Sequence, residues 1–287
     1  MKKIANSISF SAFKKKFIKF WQSDNSKISL VRDVVIALSA VLIVLILLWS
    51  YTGQWFAAPM VAIESGSMEH PNSPFGRFGT IDAGDMVLVQ KVYSKNDLVP
   101  HGGNFGGAQA SNGDQTYGDY GDVIIYYPDG DMEDKAVIHR VMFWVDVYEK
   151  NGEKTYTIND LGIYNQTTLY KPEYGIKTYH EDPISPNWSH SGFLTKGDNN
   201  DIIDQAGGIS YNPVKLEWIS GKARLEIPWL GTINLFFEDL FSGRNTVGNV
   251  HEDSLICLVI LIVILISIPI ILDIKDYIKD KKNQEIH

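Results

Sequence analysis

The chain has 287 residues, 45% of them hydrophobic, and a formal net charge of −8 at pH 7. Residues 34–272 carry 14 basic and 28 acidic side chains. This acidic balance argues against nucleic acid as a partner, because phosphate binding requires a basic footprint. The single cysteine, Cys257, excludes an intrachain disulfide and a cysteine-based metal site.

Two hydrophobic segments enclose about 200 residues. The first, Val34–Leu48, becomes long enough to cross the roughly 30 Å hydrocarbon core of a bilayer once the next three residues are included. The second, Leu255–Leu272, spans 18 residues without a charge. A cleaved signal peptide is a weaker interpretation of the first segment, because more than thirty residues precede it and no clean small-x-small site follows. We therefore predict transmembrane helices at 34–52 and 254–272.

Basic residues are concentrated in the two tails that flank these segments, residues 1–33 and 273–287. Residues 1–33 hold eight basic and two acidic side chains, and residues 273–287 hold four lysines. Lysine and arginine near membrane segments are retained on the cytoplasmic side. We therefore predict a protein of the cell membrane with two cytoplasmic tails and an extracytoplasmic domain at 53–253. The lipid bilayer is one predicted partner, and the oligomeric state is left open.

The predicted extracytoplasmic domain has the pattern of a mainly β fold. Short runs rich in β-branched and aromatic residues alternate with clusters of Gly, Pro, Asp and Asn, and no long stretch has helical periodicity. Segments near 96–120 and 160–192 are expected to be loop insertions. The predicted strands are Met86–Val92, Val123–Tyr127, Ala136–Tyr148, Thr155–Ile158, Phe193–Lys196 and Lys222–Ile227.

The first motif with chemical potential is Glu64–Ser65–Gly66–Ser67–Met68–Glu69, about a dozen residues beyond the first hydrophobic segment. A serine behind a glycine can expose its hydroxyl on a tight turn. A second hydroxyl two residues earlier can point at a developing oxyanion. Ser-Gly-Ser is also ordinary turn material, so this motif alone does not establish a nucleophile.

The next motif is Val137–Ile138–His139–Arg140–Val141, inside a predicted strand. Alternation along the strand places His139 on the otherwise apolar face formed by alternate residues from 137 to 145. An imidazole on a rigid strand suits general-base chemistry near neutral pH. A core histidine bonded to the backbone is the ordinary structural alternative.

The third motif, the Thr195–Asp204 segment, offers three carboxylates and two amides directly after a predicted strand. Its spacing does not fit an EF-hand calcium loop, which needs a central glycine and a terminal bidentate glutamate. One of the carboxylates is instead a candidate to orient His139 through a hydrogen bond to the ring.

Together the motifs resemble type I signal peptidases of the archaeal and endoplasmic-reticulum branch. The resemblance spans roughly residues 55–230 and depends on their joint order. It implies a signal-peptidase-like β fold anchored by two transmembrane helices. It also implies a serine endopeptidase that removes signal peptides from secretory preproteins after small-x-small sites, with no metal or other cofactor. The ordered elements are a membrane anchor, Ser-Gly-Ser-Met-Glu, a Gly-Asp strand, Gly-Asp-Val-Ile, Ile-His-Arg-Val and Thr-Lys-Gly-Asp-Asn-Asn.

The resemblance assigns roles to individual residues. Ser67 would be the nucleophile, and Ser65 with the backbone N–H of Ser67 would form the oxyanion hole. His139 stands where bacterial relatives have a lysine base. Asp204, six positions after the first aspartate of the segment, matches the family's essential acidic residue. Asp198, that first aspartate, matches a position that supports activity.

One departure from the family and two alternatives affect the interpretation. His70 precedes the proline that follows Ser-Gly-Ser-Met-Glu directly in most relatives, which affects the expected loop shape beside the nucleophile. A catalytically silent, membrane-anchored β-domain acting as scaffold or receptor would keep its function in Ser67→Ala. A serine peptidase with a lysine base, Lys91 or Lys135, would survive His139→Ala.

Overall fold

A computed structural model describes residues 12–15, 17–23, 25–70, 78–101 and 115–285. The chain divides into two compact units, with the division between Trp55 and Phe56. The middle of the first predicted insertion and the start of the basic tail lie outside the described residues, so those predictions remain without a structural outcome.

The first unit contains the long helix α1, Ser26–Thr52. Asn25 caps its start by accepting a hydrogen bond from the Lys27 N–H at 3.0 Å. Gly53 ends it in a left-handed conformation, with its N–H bonded to the Trp49 carbonyl at 2.8 Å. The helix is long and apolar enough to cross a membrane, and none of its most apolar window is buried. It begins eight residues before the predicted start of the segment.

The second unit contains a mainly antiparallel sheet, which confirms the predicted mainly β character of the domain. In the described part of the chain the strands follow the order β1-β2-β8-β3-β4-β5-β6, and β7 pairs with β4. Two short strands, β1 and β6, were not predicted. The strands are β1 Met60–Ala62, β2 Met86–Gln90, β3 Val123–Tyr126, β4 Val137–Lys150, β5 Glu153–Ile158, β6 Ile163–Gln166, β7 Gly192–Lys196 and β8 Ile219–Ile227.

Among the described residues of this unit, three α-helices accompany the sheet: α2 Asp204–Gly207, α3 Gly231–Ser242 and α4 Glu252–Glu285. The portion Glu252–Lys279 of α4 is long and apolar enough to cross a membrane. The expectation that the domain has no extended helical stretch is wrong for α3. Thr232 and Leu235 of α3 are buried against the sheet, whereas its other large apolar side chains are exposed.

The predicted insertion at 160–192 is a packed part of the domain. Its apolar residues join β4 and β5 in one buried cluster, and β6 lies within the same range. Each of these residues stands between turn residues, so none belongs to an apolar run long enough to predict a strand. The buried members from this range are Leu169, Ile176, Ile184 and Trp188.

β4 connects two of the apolar clusters. The register with β7 shifts between Val141 and Phe143, so Val141 packs with Phe193 whereas Phe143 packs with Met142. The predicted single face from 137 to 145 is therefore wrong beyond Val141, because a bulge interrupts the two-residue period. His139 lies before the shift and pairs with Ile124 of β3.

Two carboxyl groups near the β2–β8 pairing, those of Asp85 and Glu226, lie in surroundings that disfavour their charged forms. Burial and nearby acidic groups raise the pKa of Asp85 to about 7 and that of Glu226 to about 8. Glu226 Oε2 accepts the Gly79 N–H at 3.1 Å, while its Oε1 is buried without a partner among the described residues. Both carboxyls thus favour their protonated forms in the folded protein.

Replacing Glu226 by Gln tests this environment. The folded carboxyls keep protons up to about pH 7 to 8, whereas the unfolded chain releases them near pH 4. The free energy of unfolding of the wild type therefore falls as pH rises from about 4 to about 8. We expect Glu226→Gln to reduce that fall and to raise stability above about pH 8, as followed by thermal unfolding in detergent. The exposed Glu217→Gln should keep the wild-type pH dependence; the same dependence in Glu226→Gln would contradict the assignment.

Candidate active site

The centre of the candidate site is a buried pair, His139 and Asp204. His139 Nδ1 lies 2.8 Å from both carboxylate oxygens of Asp204, and the Asp204 side chain is 0% exposed. The Tyr126 hydroxyl donates to Asp204 Oδ2 at 2.7 Å, and the Thr195 hydroxyl donates to the Tyr126 oxygen at 3.3 Å. Residues of β3, β4 and β7 therefore fix the carboxylate at the first residue of α2.

The electrostatics of the pair determine which ring nitrogen carries the proton. Burial raises the pKa of Asp204, but the adjacent His139 and the hydrogen bond from the Tyr126 hydroxyl lower it, and the net pKa lies below the usual value. An ionised carboxylate can only accept hydrogen bonds. A neutral His139 therefore carries its proton on Nδ1, which leaves the Nε2 lone pair available for general-base chemistry.

The segment Glu64–Glu69, called the serine turn below, is bound directly to the Thr195–Asp204 segment. The backbone N–H of Asn199 donates to the Ser67 carbonyl at 2.9 Å, and its side-chain amide donates to the Gly66 carbonyl at 3.0 Å. One asparagine thus holds two consecutive carbonyl groups of the turn. The sequence motif contains Asn199, but its contact with the serine turn was not predicted.

Gly197 permits the close approach of the serine turn to the histidine. A methyl group at this position would lie 2.6 Å from the Ser67 carbonyl oxygen and 2.8 Å from His139 Nε2. Both atoms therefore lie beside the same point, which only a residue without a side chain leaves open. Glycine is therefore required at position 197 for lack of space rather than for an unusual backbone conformation.

Ser65, Ser67 and His139 line one cavity of about 630 Å³. The Ser67 hydroxyl lies 3.5 Å from Ser65 Oγ and forms no hydrogen bond with His139 in the described part of the chain. Rotation about the Ser67 Cα–Cβ bond redirects this hydroxyl, and such catalytic contacts commonly tighten only when substrate binds. Most other lining residues are apolar: Val61, Ala62, Ile63, Ile125, Ala136, Val137, Ile138 and Ile209.

Asp198 occupies a different position from Asp204. Its two oxygens accept from Arg140 Nε and Nη2 at 2.7 and 2.5 Å, and His70 Nε2 lies 2.9 Å from Oδ2. The buried Arg140 also donates to the carbonyls of Thr116 and Gly121. Asp198 therefore joins the residue after His139 to a neighbouring loop, and its expected support of activity is indirect.

The two lysines considered as bases differ in their surroundings. Lys135 lines the cavity, but its Nζ lies 2.5 Å from Glu64 Oε2 and its side chain is 62% exposed. Lys91 Nζ lies 5.5 Å from the centre of the Tyr93 ring. The geometry favours His139, because its buried ring is oriented by a carboxylate whereas Lys135 is ion-paired and solvated.

A further contact joins the serine turn to the start of α4. The Glu69 carboxyl folds over Gly66, where a methyl group would lie 2.7 to 2.8 Å from its atoms. Glu69 Oε2 also lies 2.9 Å from Nε2 of His251, the residue before α4. The two residues are 182 positions apart, so no local signal predicted this pair.

Comparison with known proteins adds no assignment: no family model and no curated protein matches the chain. Within the described ranges, no group of three or more His, Cys, Asp or Glu side chains is placed to hold a metal ion. The catalytic roles of Ser65, Ser67, His139, Asp198 and Asp204 thus stay predictions that rest on motif order and site geometry.

Gly197→Ala tests the packing between the serine turn and the base. The added methyl group must displace the Ser67 backbone or the His139 ring, and a misplacement of about 1 Å can cost about 100-fold in rate. We expect kcat/KM for the predicted peptidase activity to fall by about that factor while the protein remains folded. Gly207→Ala is the matched control, because its methyl group would meet no atom closer than 3.5 Å. Equal activity of the two variants would contradict the proposed packing.

Proposed function

We propose that the chain is a membrane-bound serine endopeptidase that removes N-terminal signal peptides from secretory preproteins after small-x-small sites. The supporting observation is the buried His139–Asp204 pair, whose histidine lines the same cavity as Ser65 and Ser67. A solvent-accessible hydroxyl, an oriented imidazole and a buried carboxylate are the groups that acyl transfer by serine requires.

The reaction proceeds through an acyl-enzyme. Ser67 Oγ attacks the carbonyl carbon before the cut and gives its proton to His139 Nε2, while Asp204 stabilises the imidazolium through Nδ1–H. The Ser65 hydroxyl and the Ser67 N–H donate to the oxyanion. The C–N bond breaks as His139 protonates the leaving amine. Water, deprotonated by His139, then hydrolyses the ester and restores Ser67.

The cavity walls suit an extended peptide. Among the described residues, β1 lies at one edge of the sheet, and its residues line the cavity together with the start of β4. A substrate segment can add to such an edge by backbone hydrogen bonds, while alternate side chains enter pockets. The apolar lining accepts small apolar side chains before the cut, which agrees with a small-x-small preference.

Membrane placement agrees with this substrate class. The distribution of basic residues supports cytoplasmic tails and an extracytoplasmic domain. The His251–Glu69 contact holds the serine turn beside the residue that precedes α4. Ser67 would therefore act near the bilayer surface, where the signal peptide of a translocating preprotein emerges.

The two alternatives predict different substitutions to leave the function unchanged: Ser67→Ala for a scaffold or receptor, and His139→Ala for a lysine-dependent peptidase. A scaffold or receptor has no need for a buried histidine–aspartate pair beside one exposed and one partly buried serine, Ser65 and Ser67. A lysine-dependent peptidase requires a lysine close to the nucleophile and shielded from water, whereas Lys135 is ion-paired with Glu64 and largely exposed. The cleavage assay described next separates both alternatives from the proposal.

Cleavage of a preprotein with an Ala-x-Ala site, by the full chain in liposomes, tests the proposal. We expect mass spectrometry to place the cut after the second alanine, and Ser67→Ala, His139→Ala and Asp204→Ala each to lose at least about 1,000-fold in rate. Lys135→Ala should lose far less than His139→Ala. The same preprotein with tryptophan directly before the cut should resist cleavage. Wild-type inactivity of folded protein, or full activity of Ser67→Ala, would contradict the proposed function.

A further inference from the structure

Helix α3 presents an outward apolar face. At 100° per residue, its five largest exposed apolar side chains fall within a sector of about 140°. Their exposed fractions range from 37% to 85%. A stripe at this spacing ordinarily faces a protein core. The members of this outward face are Ile233, Phe236, Phe237, Leu240 and Phe241.

The opposite side of α3 is fixed to the domain, so the outward face cannot rotate inward. The Thr232 N–H donates to the Gly84 carbonyl at 2.8 Å, and Leu235 is fully buried. At the other end Asp239 accepts from the Thr246 hydroxyl at 2.7 Å and from the Val247 N–H at 2.9 Å. These bonds also fold the segment after α3 back along the helix.

The start of α3 and the start of α4 lie beside the same glycine. A methyl group at Gly84 would lie 2.5 Å from Thr232 Oγ1 and 2.8 Å from Val250 Cγ1. Thr232 is the second residue of α3, and Val250 is two residues before α4. Therefore α3 begins at the end of the helix that is apolar enough to cross a membrane.

We propose that the outward face of α3 lies in the interface of the lipid bilayer, on the side of the catalytic domain. The occupant is the bilayer because α4 enters it beside α3, and an amphipathic helix with Phe and Leu on one face binds at the level of the headgroups. The proposal rests on the membrane placement of α4 and is independent of peptidase chemistry.

The charges of α3 specify the type of contact. The helix contains no basic residue, and its two acidic residues lie away from the outward face: Asp239 bonds the following segment and Glu238 pairs with Arg244. Attraction to anionic lipids therefore contributes nothing, and burial of apolar area drives the contact. Insertion should be equal in zwitterionic and anionic bilayers.

The consequence for catalysis is a fixed height above the membrane. Val250 and His251 join α4 to Gly84 and to Glu69, and α3 adds a second attachment to the same surface. A domain held at two points cannot tilt freely about α4. The Ser67 turn would then meet the preprotein at a constant depth.

Depth-dependent fluorescence quenching tests the proposal in the full chain. In a Cys257→Ser background, single cysteines replace Phe237 on the outward face, Ile264 in the middle of α4, and Glu149 at the far end of β4. Each is labelled with an environment-sensitive fluorophore, and each protein is placed in nanodiscs that hold one copy. The lipids are phosphatidylcholine, with or without phosphatidylglycerol, and carry a nitroxide near the headgroup or deep in the acyl chain.

We expect the headgroup nitroxide to quench the label at 237 several-fold more than the label at 149, equally in both lipid mixtures. The deep nitroxide should quench the label at 264. Quenching at 264 together with equal quenching at 237 and 149 would overturn the proposal. A parallel sample in vesicles with many copies identifies the other occupant. A label at 237 that is shielded from water there but not in the one-copy nanodiscs would also overturn the proposal, because a second copy would then cover the face. Lost peptide cleavage leaves this test unaffected, so the two proposals fail separately.

Discussion

The site depends on one buried interaction, the hydrogen bond from His139 Nδ1 to the carboxylate of Asp204. Burying an ionised carboxylate costs several kcal/mol unless it is compensated. Hydrogen bonds to a charged group contribute about 1.5 to 3 kcal/mol each. The ring N–H and the Tyr126 hydroxyl provide that compensation here. Removing either donor therefore affects both the stability of the core and the orientation of the base.

Other residues of the Thr195–Asp204 segment hold the remaining parts of the site in place. Asp204 bonds the His139 ring, Gly197 leaves space between that ring and the serine turn, and Asn199 binds the carbonyls of that turn. Asp198 fixes Arg140, the residue next to His139 along β4. The proposed nucleophile on a loop and the proposed base on a strand are thus both held by this one segment.

The sequence predicted six of the strands, because their β-branched residues alternate and end at turn residues. It also placed Ser65, Ser67, His139 and Asp204 in one site, through a resemblance in motif order. It did not predict contacts between distant residues, such as His251 with Glu69, or the space at Gly197. The exposed aromatic residues Phe236, Phe237 and Phe241 could be expected at the membrane interface from the sequence, but the helix α3 that places them on one face was not predicted.

The non-additivity of two substitutions tests the central claim most directly. If Ser67 and His139 act as one unit, either loss removes the whole contribution of that unit and leaves only what the oxyanion hole and substrate binding supply. Single-turnover cleavage of an Ala-x-Ala preprotein is compared among Ser67→Ala, His139→Ala and the double variant, with folding checked for each. The account predicts the same residual rate in all three. A double variant slower by the product of the two single effects, or a His139→Ala variant that keeps wild-type cleavage, would contradict it.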